Sequence, residues 1–203
     1  MKQFVLIVVF VIFCAFTVMG KTSWEPPEGG AKVNLIKFLN TSLYIWTLLS
    51  TSVTRNTPCK VDKVWNITEK DVFFYRNYSS PTKYSELLEG KFQDWQRKEG
   101  PSLMILYNRG GQSLGAEECV YQDENNTCAV FLATNNYLFA GQWYDVCELR
   151  VKGEMTGANA SNECTEQFLK ICDPEQSTSV FYPPNFCFTL VGATPSLKKC
   201  LSE

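Results

Sequence analysis

Hydrophobic and polar residues follow different patterns in successive parts of this chain. An almost unbroken apolar run covers residues 4–18, and a stretch rich in proline and glycine follows it. Beyond that stretch, Val33, Ile36 and Leu39 recur at helical spacing, which predicts one short amphipathic helix over residues 31–39. The chain is therefore expected to begin with an apolar leader, an extended arm and a helix.

From residue 43 onward the pattern is that of β-strands. Segments rich in β-branched and aromatic residues recur at short, fairly even intervals, separated by Asn, Gly, Pro and Asp. There are eight of them: residues 43–49, 59–67, 71–78, 84–95, 102–107, 117–122, 128–134 and 142–152. Residues 160–172 then return to helical spacing, with Cys164, Phe168 and Cys172 along one side.

Eight consecutive strands joined by short turns predict a mainly β fold. The expected form is an eight-stranded antiparallel up-and-down barrel, because closing the sheet removes its two exposed edges. A barrel of that size has room for one small ligand. We expect the short N-terminal helix before the barrel and the C-terminal helix packed on its wall. A β-sandwich is the alternative, because the pattern predicts strands but not their closure.

The apolar run has the features of a secretory signal peptide. Lys2 precedes it, and it ends at Val18-Met19-Gly20, with small or slim residues where a signal peptidase cleaves. Spanning a bilayer takes about 20 apolar residues, so this shorter run does not favour a membrane anchor. We expect a signal peptide over residues 1–20 and a single domain over residues 21–203, secreted and free of the membrane.

The composition after residue 20 narrows the functional classes. The 18 basic and 21 acidic side chains give a formal charge near −3, which does not fit a nucleic-acid binder. The chain contains no histidine, which excludes Ser-His-Asp and Cys-His catalytic groups. Without histidine or a tight pair of Cys-x-x-Cys motifs, a zinc site is not expected. We therefore predict a protein that is not an enzyme and that holds no metal or cofactor.

Cysteines and glycan acceptors agree with secretion. Eight cysteines follow residue 20, an even number that predicts up to four disulfides. They are Cys59, Cys119, Cys128, Cys147, Cys164, Cys172, Cys187 and Cys200. Five Asn-x-Ser/Thr patterns predict surface glycans. Their asparagines are Asn40, Asn66, Asn77, Asn125 and Asn159.

A series of short motifs runs in order through nearly the whole of residues 21–203. They are Lys37-Phe-Leu-Asn, Tyr44-Ile-Trp, Cys59-Lys-Val, Asn66-Ile-Thr, Val72-Phe-Phe, Cys128-Ala-Val-Phe, Trp143-Tyr-Asp-Val-Cys-Glu-Leu-Arg-Val, Glu163-Cys and Tyr182-Pro-Pro-Asn-Phe-Cys. In order and spacing they resemble the tick salivary lipocalins, the family of histamine-binding and related mediator-scavenging proteins. The resemblance implies a lipocalin-like barrel, here expected as a monomer, that sequesters a small host mediator. A biogenic amine, histamine or serotonin, is the leading ligand.

The amine-binding pattern of that family reads Cys-Asp-aliphatic, then Glu-Leu-aromatic, then a cysteine. This chain keeps five of its positions: Cys128, Val130, Glu148, Leu149 and Cys164. Ala129 stands in place of the amine-pairing aspartate, and Arg150 stands in place of the aromatic residue. A buried ammonium needs a carboxylate partner, so one carboxylate that the resemblance would supply is missing.

Strand alternation puts Arg150 on the same face as Glu148 if Glu148 points into the barrel. Tyr144 shares that face, Phe131 and Ala129 are its expected neighbours on the adjoining strand, and the cysteines beside them point outward. Two outcomes are open. Either Glu148 and Arg150 neutralise each other, or Arg150 binds the carboxylate of an acidic lipid such as a leukotriene-like fatty acid. A scaffold that inhibits a host protein, with no small ligand, is a further alternative.

Several aromatic side chains on the predicted strands are candidates for lining the ligand pocket, although an aromatic residue on a strand more often belongs to the core. The complete set of ligand-binding candidates is Glu148, Arg150, Tyr144, Phe131, Trp46, Tyr44, Phe73 and Tyr75.

Two disulfides are implied by the resemblance, Cys59–Cys187 and Cys128–Cys164. Geometry addresses the other four cysteines. Cys147 is expected to point outward beside Cys128, and Cys172 lies about two helical turns beyond Cys164. That favours Cys147–Cys172 and leaves Cys119–Cys200. A Cys119–Cys147 bond is the alternative if the end of a strand bends.

Overall fold

The computed structural model describes residues 33–51, 60–80, 82–94, 99–135, 145–154, 159–172 and 180–181. The predicted signal peptide, residues 1–20, lies outside these ranges. Within them, every helix is too short or too polar to cross a membrane.

Eight antiparallel strands form a closed barrel. They are β1 (Tyr44–Ser50), β2 (Lys60–Ile67), β3 (Asp71–Ser80), β4 (Thr82–Phe92), β5 (Leu103–Asn108), β6 (Ser113–Gln122), β7 (Cys128–Asn135) and β8 (Asp145–Gly153). Each strand from β2 to β8 pairs with the next, β8 pairs with β1, and β1 also pairs with β2. The predicted barrel is confirmed, and the alternative of a β-sandwich is wrong because the first and last strands meet.

The eight strands match the eight predicted segments, with one boundary clearly displaced. β6 begins at Ser113, four residues earlier than predicted. Its first four residues, Ser113-Leu-Gly-Ala, have no β-branched or aromatic side chain, so propensity does not mark them as a strand. They are held instead by pairing with β5 and β7. A two-residue strand, β9 (Val180–Phe181), pairs with the end of β1.

Apolar side chains are buried on both faces of the barrel wall. The inner cluster consists of Leu35, Phe38, Leu39, Ile45, Val72, Phe74, Leu88, Phe92, Met104, Leu106, Cys119, Ala129 and Phe131. The outer cluster consists of Trp46, Leu48, Val61, Val120, Tyr121, Cys128, Val130, Cys147, Leu149, Val151, Cys164 and Phe168. Because successive side chains of a strand point to opposite faces, the two sets alternate along β1 and β7, and on β8 the outer residues alternate with the inward Glu148 and Arg150.

One end of the barrel is closed by helix α1 (Leu35–Leu39). Phe38 of this helix reaches the inner cluster, where its ring centroid lies 5.7 Å from that of Phe131. The helix is shorter than predicted because Asn34 caps it, accepting a hydrogen bond from the Lys37 amide at 3.0 Å.

The C-terminal helix, α2 (Asn162–Cys172), packs on the outside of the barrel, as predicted. The structure contains the Cys128–Cys164 and Cys147–Cys172 disulfides, which join α2 to β7 and β8. Closing loops of 36 and 25 residues stabilises the fold by roughly 3–4 kcal/mol per bond in the chain-entropy model.

Cys119 departs from the predicted disulfide map. It is a free, buried thiol in the inner cluster, and so the expected Cys119–Cys200 bond is not part of this structure. The physical reason is alternation: Cys119 lies two residues after the inward Glu117, so it also points into the barrel. Cys200 lies outside the described residues, as does the Cys59–Cys187 pair, which stays a prediction.

The five predicted glycan acceptors do not share one environment. Asn40, Asn66, Asn125 and Asn159 are exposed, as an acceptor must be. Asn77 is half-buried within β3, and its Nδ2 donates a hydrogen bond of 3.3 Å to the carbonyl of Val61. This bond uses the nitrogen to which a glycan would be attached, so Asn77 is the least suitable acceptor.

Candidate functional site

The barrel interior is divided into an apolar half and a charged half. The apolar half lies against α1 and consists of the inner cluster. The other half contains six ionisable side chains: Lys60, Asp62, Arg76, Glu117, Glu148 and Arg150. We call these six the charge network. Three are cationic and three are anionic, so its formal charge is zero.

Strand alternation brings these six side chains together. Lys60 and Asp62 are two residues apart on β2, and Glu148 and Arg150 are two residues apart on β8, so each pair shares a face. Arg76 lies on β3, directly opposite Asp62 in the strand register. Glu117 is provided by β6, on the other side of β7 from β8.

Arg150 is bonded to two carboxylates. Its Nε and Nη2 donate to Oε2 of Glu148 at 2.8 and 2.6 Å, and its Nη1 donates to Oε2 of Glu117 at 2.6 Å. The guanidinium also lies over the ring of Phe131, 4.2 Å from its centroid. Of the two outcomes left open by the sequence, the structure shows mutual neutralisation of Glu148 and Arg150.

Arg76 forms the second centre of the network. Its Nε and Nη2 make a bidentate pair with Asp62, both at 2.8 Å, and its Nη1 donates to Oε1 of Glu117 at 2.8 Å. Glu117 thereby bridges Arg76 and Arg150. The Arg76–Asp62 pair and the Arg150–Glu148 pair are thus connected through Glu117.

Lys60 is the third cation and the most exposed member of the network. Its Nζ lies 2.9 and 2.8 Å from the two oxygens of Glu148 and 3.5 Å from Oε1 of Glu117. The Lys60 side chain is 15% exposed, compared with 1% for Arg150 and 4% for Arg76. Lys60 is therefore the cation closest to solvent.

The surrounding charges keep Glu148 and Glu117 ionised. Burial alone would raise the pKa of Glu148, but Lys60 and Arg150 lower it to about 2. Burial also opposes ionisation of Glu117, and Arg150 and Arg76 hold the pKa of its carboxyl well below the usual range. In contrast, burial and the two arginines lower the pKa of the Lys60 ammonium. Burial of the charged Lys60 side chain therefore costs free energy, and its attraction to Glu148 and Glu117 offsets part of that cost.

Four of the aromatic candidates do not line the interior, so the prediction is wrong for them. Trp46 belongs to the outer cluster, where its Nε1 donates to the carbonyl of Glu154 at 3.2 Å. Tyr44 packs beside Trp46 on the same outer face, because the inward position between them is Ile45.

Phe73 and Tyr75 lie on the outer face of β3 for the same reason. The inward positions of this strand are Val72, Phe74 and Arg76. The Phe73 ring instead meets the exposed Trp65 edge-on, with centroids 6.4 Å apart.

Phe131 lies in the interior as predicted, and Glu148 and Arg150 lie there with it. Tyr144 lies outside the described residues. Sequence reasoning missed Lys60, Asp62, Arg76 and Glu117. Their signal is a charged residue at every second position of a segment that is otherwise typical of a buried strand, as in Lys60-Val-Asp62.

One group of potential metal ligands occurs in the described part of the chain, formed by Asp123, Cys128 and Cys164. The two sulfur atoms are bonded to each other, so neither is a thiolate ligand. The Asp123 carboxylate accepts hydrogen bonds from the amides of Thr127 and Cys128, at 2.6 and 2.8 Å. These residues stabilise the β6–β7 turn and do not fit a metal ion.

Solved structures similar to this chain are lipocalins. The siderocalin Ex-FABP has 13% sequence identity and a TM-score of 0.52, with 70% of this chain and 93% of that chain covered. Insecticyanin from the tobacco hornworm Manduca sexta has 11% identity and a TM-score of 0.51, covering 76% and 82%. Japanin from Rhipicephalus appendiculatus has 14% identity and a TM-score of 0.48, covering 70% and 93%. No protein-family model and no curated protein sequence matches the chain. The first two likenesses show that its fold is that of the lipocalins.

Proposed function

We propose that this chain is a secreted protein that binds and sequesters a small molecule within its lipocalin barrel, and that the ligand is a biogenic amine such as histamine or serotonin. One observation carries the proposal: three carboxylates converge in the charged half of the interior, and the Glu148 carboxylate lies at its more exposed side. A ligand ammonium entering a dry barrel requires such a carboxylate partner. The resemblance to the tick histamine-binding lipocalins, which share Glu148 with this chain, supports the same ligand class.

A carboxylate from another strand can take the place of the aspartate that this chain lacks. Ala129 leaves β7 without a carboxylate at that position, and Glu117 supplies one from the neighbouring strand β6, 3.5 Å from the Lys60 ammonium. Phe131, which lies where the apolar half meets the charge network, adds an aromatic face beside Arg150. Two carboxylates and an aromatic ring are the groups that bind a protonated amine.

An acidic lipid fits the described interior less well. Arg150 and Arg76 direct their guanidinium groups to carboxylates of the protein at 2.6 to 2.8 Å. A lipid carboxylate would have to break these charge-assisted bonds and leave a buried protein carboxylate unpaired, at a cost of about 3–5 kcal/mol. This cost favours an amine over an acidic lipid as the ligand.

A scaffold that acts without a small ligand is the second candidate. The large side chains of the apolar half, including Phe38, Phe74 and Met104, favour it because they are buried in the part of the interior that a ligand would otherwise occupy. Binding measurements on the secreted form separate the two.

The test is isothermal titration calorimetry of the secreted protein with histamine, serotonin and arachidonic acid. We expect saturable binding of at least one amine at micromolar affinity or better. Glu148→Gln should weaken it roughly tenfold to a hundredfold, the loss of one charge-assisted contact. Glu166→Gln, at an exposed position of α2, is the matched control and should bind like the native protein. Absence of saturable binding by either amine would disprove the proposal.

A further inference from the structure

We propose that Lys60 is an internal substitute for the ligand ammonium, and that a primary amine binds by displacing the Lys60 side chain from Glu148 and Glu117. The proposal rests on the amine-binding function argued above and adds the exchange by which the ligand binds, together with the class of amine selected.

The position of the Lys60 Nζ atom is the first argument. It lies within 2.9 Å of both Glu148 oxygens and 3.5 Å from Glu117 Oε1. A ligand ammonium paired with Glu148 would occupy the same few ångströms. Two ammonium groups at such a distance repel each other strongly in a buried site. Lys60 and the ligand therefore exclude one another.

The second argument is that Lys60 can leave more easily than the two arginines. Arg76 and Arg150 each bind two carboxylates through a planar, multidentate group, and both are almost completely buried. Lys60 is a point charge on a flexible four-carbon stem, and part of its side chain already contacts solvent. Burial, which lowers the pKa of its ammonium, also favours its return to water.

The third argument is charge balance. With Lys60 in place, three cations face three anions and the network is neutral. When Lys60 turns to solvent, three carboxylates face two guanidinium groups, which leaves one negative charge. A singly protonated amine restores neutrality, whereas a neutral or anionic ligand does not. The exchange therefore favours a monocation.

The acceptor geometry narrows the ligand to a primary ammonium. Lys60 directs its –NH3⁺ group at three oxygens, two of Glu148 and one of Glu117. A primary ammonium has three N–H donors and can reproduce these contacts, but a quaternary ammonium has none. The site should distinguish these two kinds of cation even at equal charge.

A rescue experiment with simple amines tests the exchange directly. In Lys60→Ala, n-butylammonium chloride should raise the thermal unfolding midpoint saturably, with a half-saturating concentration at least tenfold lower than in the native protein. Tetramethylammonium chloride and sodium chloride at equal ionic strength should not do so. Lys63→Ala, which removes a lysine from the outer face of the same strand, should respond like the native protein. Lys60→Met keeps the apolar stem and serves if Lys60→Ala does not fold.

A labelling experiment on the native protein needs no variant. Saturating histamine should increase the ratio of Lys60 to Lys63 acylation by an amine-reactive ester at least threefold, and this ratio corrects for the ester that the primary amine of histamine itself consumes. Equal rescue of native protein and Lys60→Ala, or equal effects of n-butylammonium and tetramethylammonium, would overturn the inference. Histamine binding with an unchanged ratio of Lys60 to Lys63 acylation would also overturn it while the proposed function stands. Rescue of Lys60→Ala in a protein that binds no amine natively would reject the displacement together with the proposed function, because no amine would then replace Lys60 in the native protein.

Discussion

Both halves of the barrel interior are largely buried, but they are held together by different forces. Around α1, side chains such as Phe38, Leu88 and Met104 pack without any requirement for a particular partner. In the charge network, each group depends on a specific counter-charge, as Arg76 depends on Asp62. Hydrophobic packing tolerates exchange of one apolar side chain for another of similar volume, whereas a buried ion tolerates no loss of its partner. The difference locates the part of the interior where binding can be specific.

The largest expected effect is removal of the carboxylate that joins the two arginines. Glu117→Gln should lower the free energy of unfolding by about 3–5 kcal/mol, because two buried guanidinium groups then share fewer negative charges. Urea unfolding monitored by circular dichroism measures the change. Glu166→Gln, at the exposed position of α2 already used as a control, should change stability by less than about 0.5 kcal/mol. If Glu117→Gln lowers the free energy of unfolding by less than about 1 kcal/mol, the buried ions of the network do not depend on this counter-charge.

In the apolar half, Leu88→Ala should lower the free energy of unfolding by about 2–5 kcal/mol, the usual range for a Leu-to-Ala change that leaves a cavity. Leu88 is 1% exposed, and the exposed Leu169 of α2 provides the matched control, Leu169→Ala. The same urea experiment repeated at 0.05 and 0.5 M sodium chloride should give the same loss. A strong dependence on salt would remove the distinction between the halves.

The smallest expected effect is the acid sensitivity of the charged half. The pKa of Glu148 is about 2 in the folded protein, against 4.5 for the unperturbed group. Its contribution to stability is therefore complete above pH 4.5 and is lost as pH falls towards 2. Glu148→Gln should make the slope of unfolding free energy against pH shallower in that window, by up to about 1.4 kcal/mol per pH unit. If Glu148→Gln and the control Glu166→Gln both keep the native slope, the acid sensitivity does not arise from Glu148.

The sequence predicts the number and order of strands because each strand carries a local signature, and alternation on β7 and β8 correctly turns Phe131, Glu148 and Arg150 inward. On β1 and β3 the same rule cannot decide, since both faces of those strands are apolar. Trp46 is buried outside the barrel and Ile45 inside it, so composition does not distinguish the faces.

The charge network depends on distances that are not encoded locally. Arg76 on β3 meets Glu117 on β6 across the barrel, and these residues are separated by 41 positions. Neither strand alone indicates that the other supplies the counter-charge. The candidate site was therefore predicted only where its residues lie on one pair of neighbouring strands.

The two disulfides of α2 fix this helix to the part of the barrel wall formed by β7 and β8. Cys164 and Cys172 anchor both ends of the helix, one to β7 and the other to β8, so the helix cannot pivot about a single point. Glu148 and Arg150 stand on the inner side of this wall, whereas Lys60 stands on β2, outside the braced pair of strands. In the proposed exchange, Lys60 is therefore the group that moves, and the braced strand that carries Glu148 and Arg150 keeps its position.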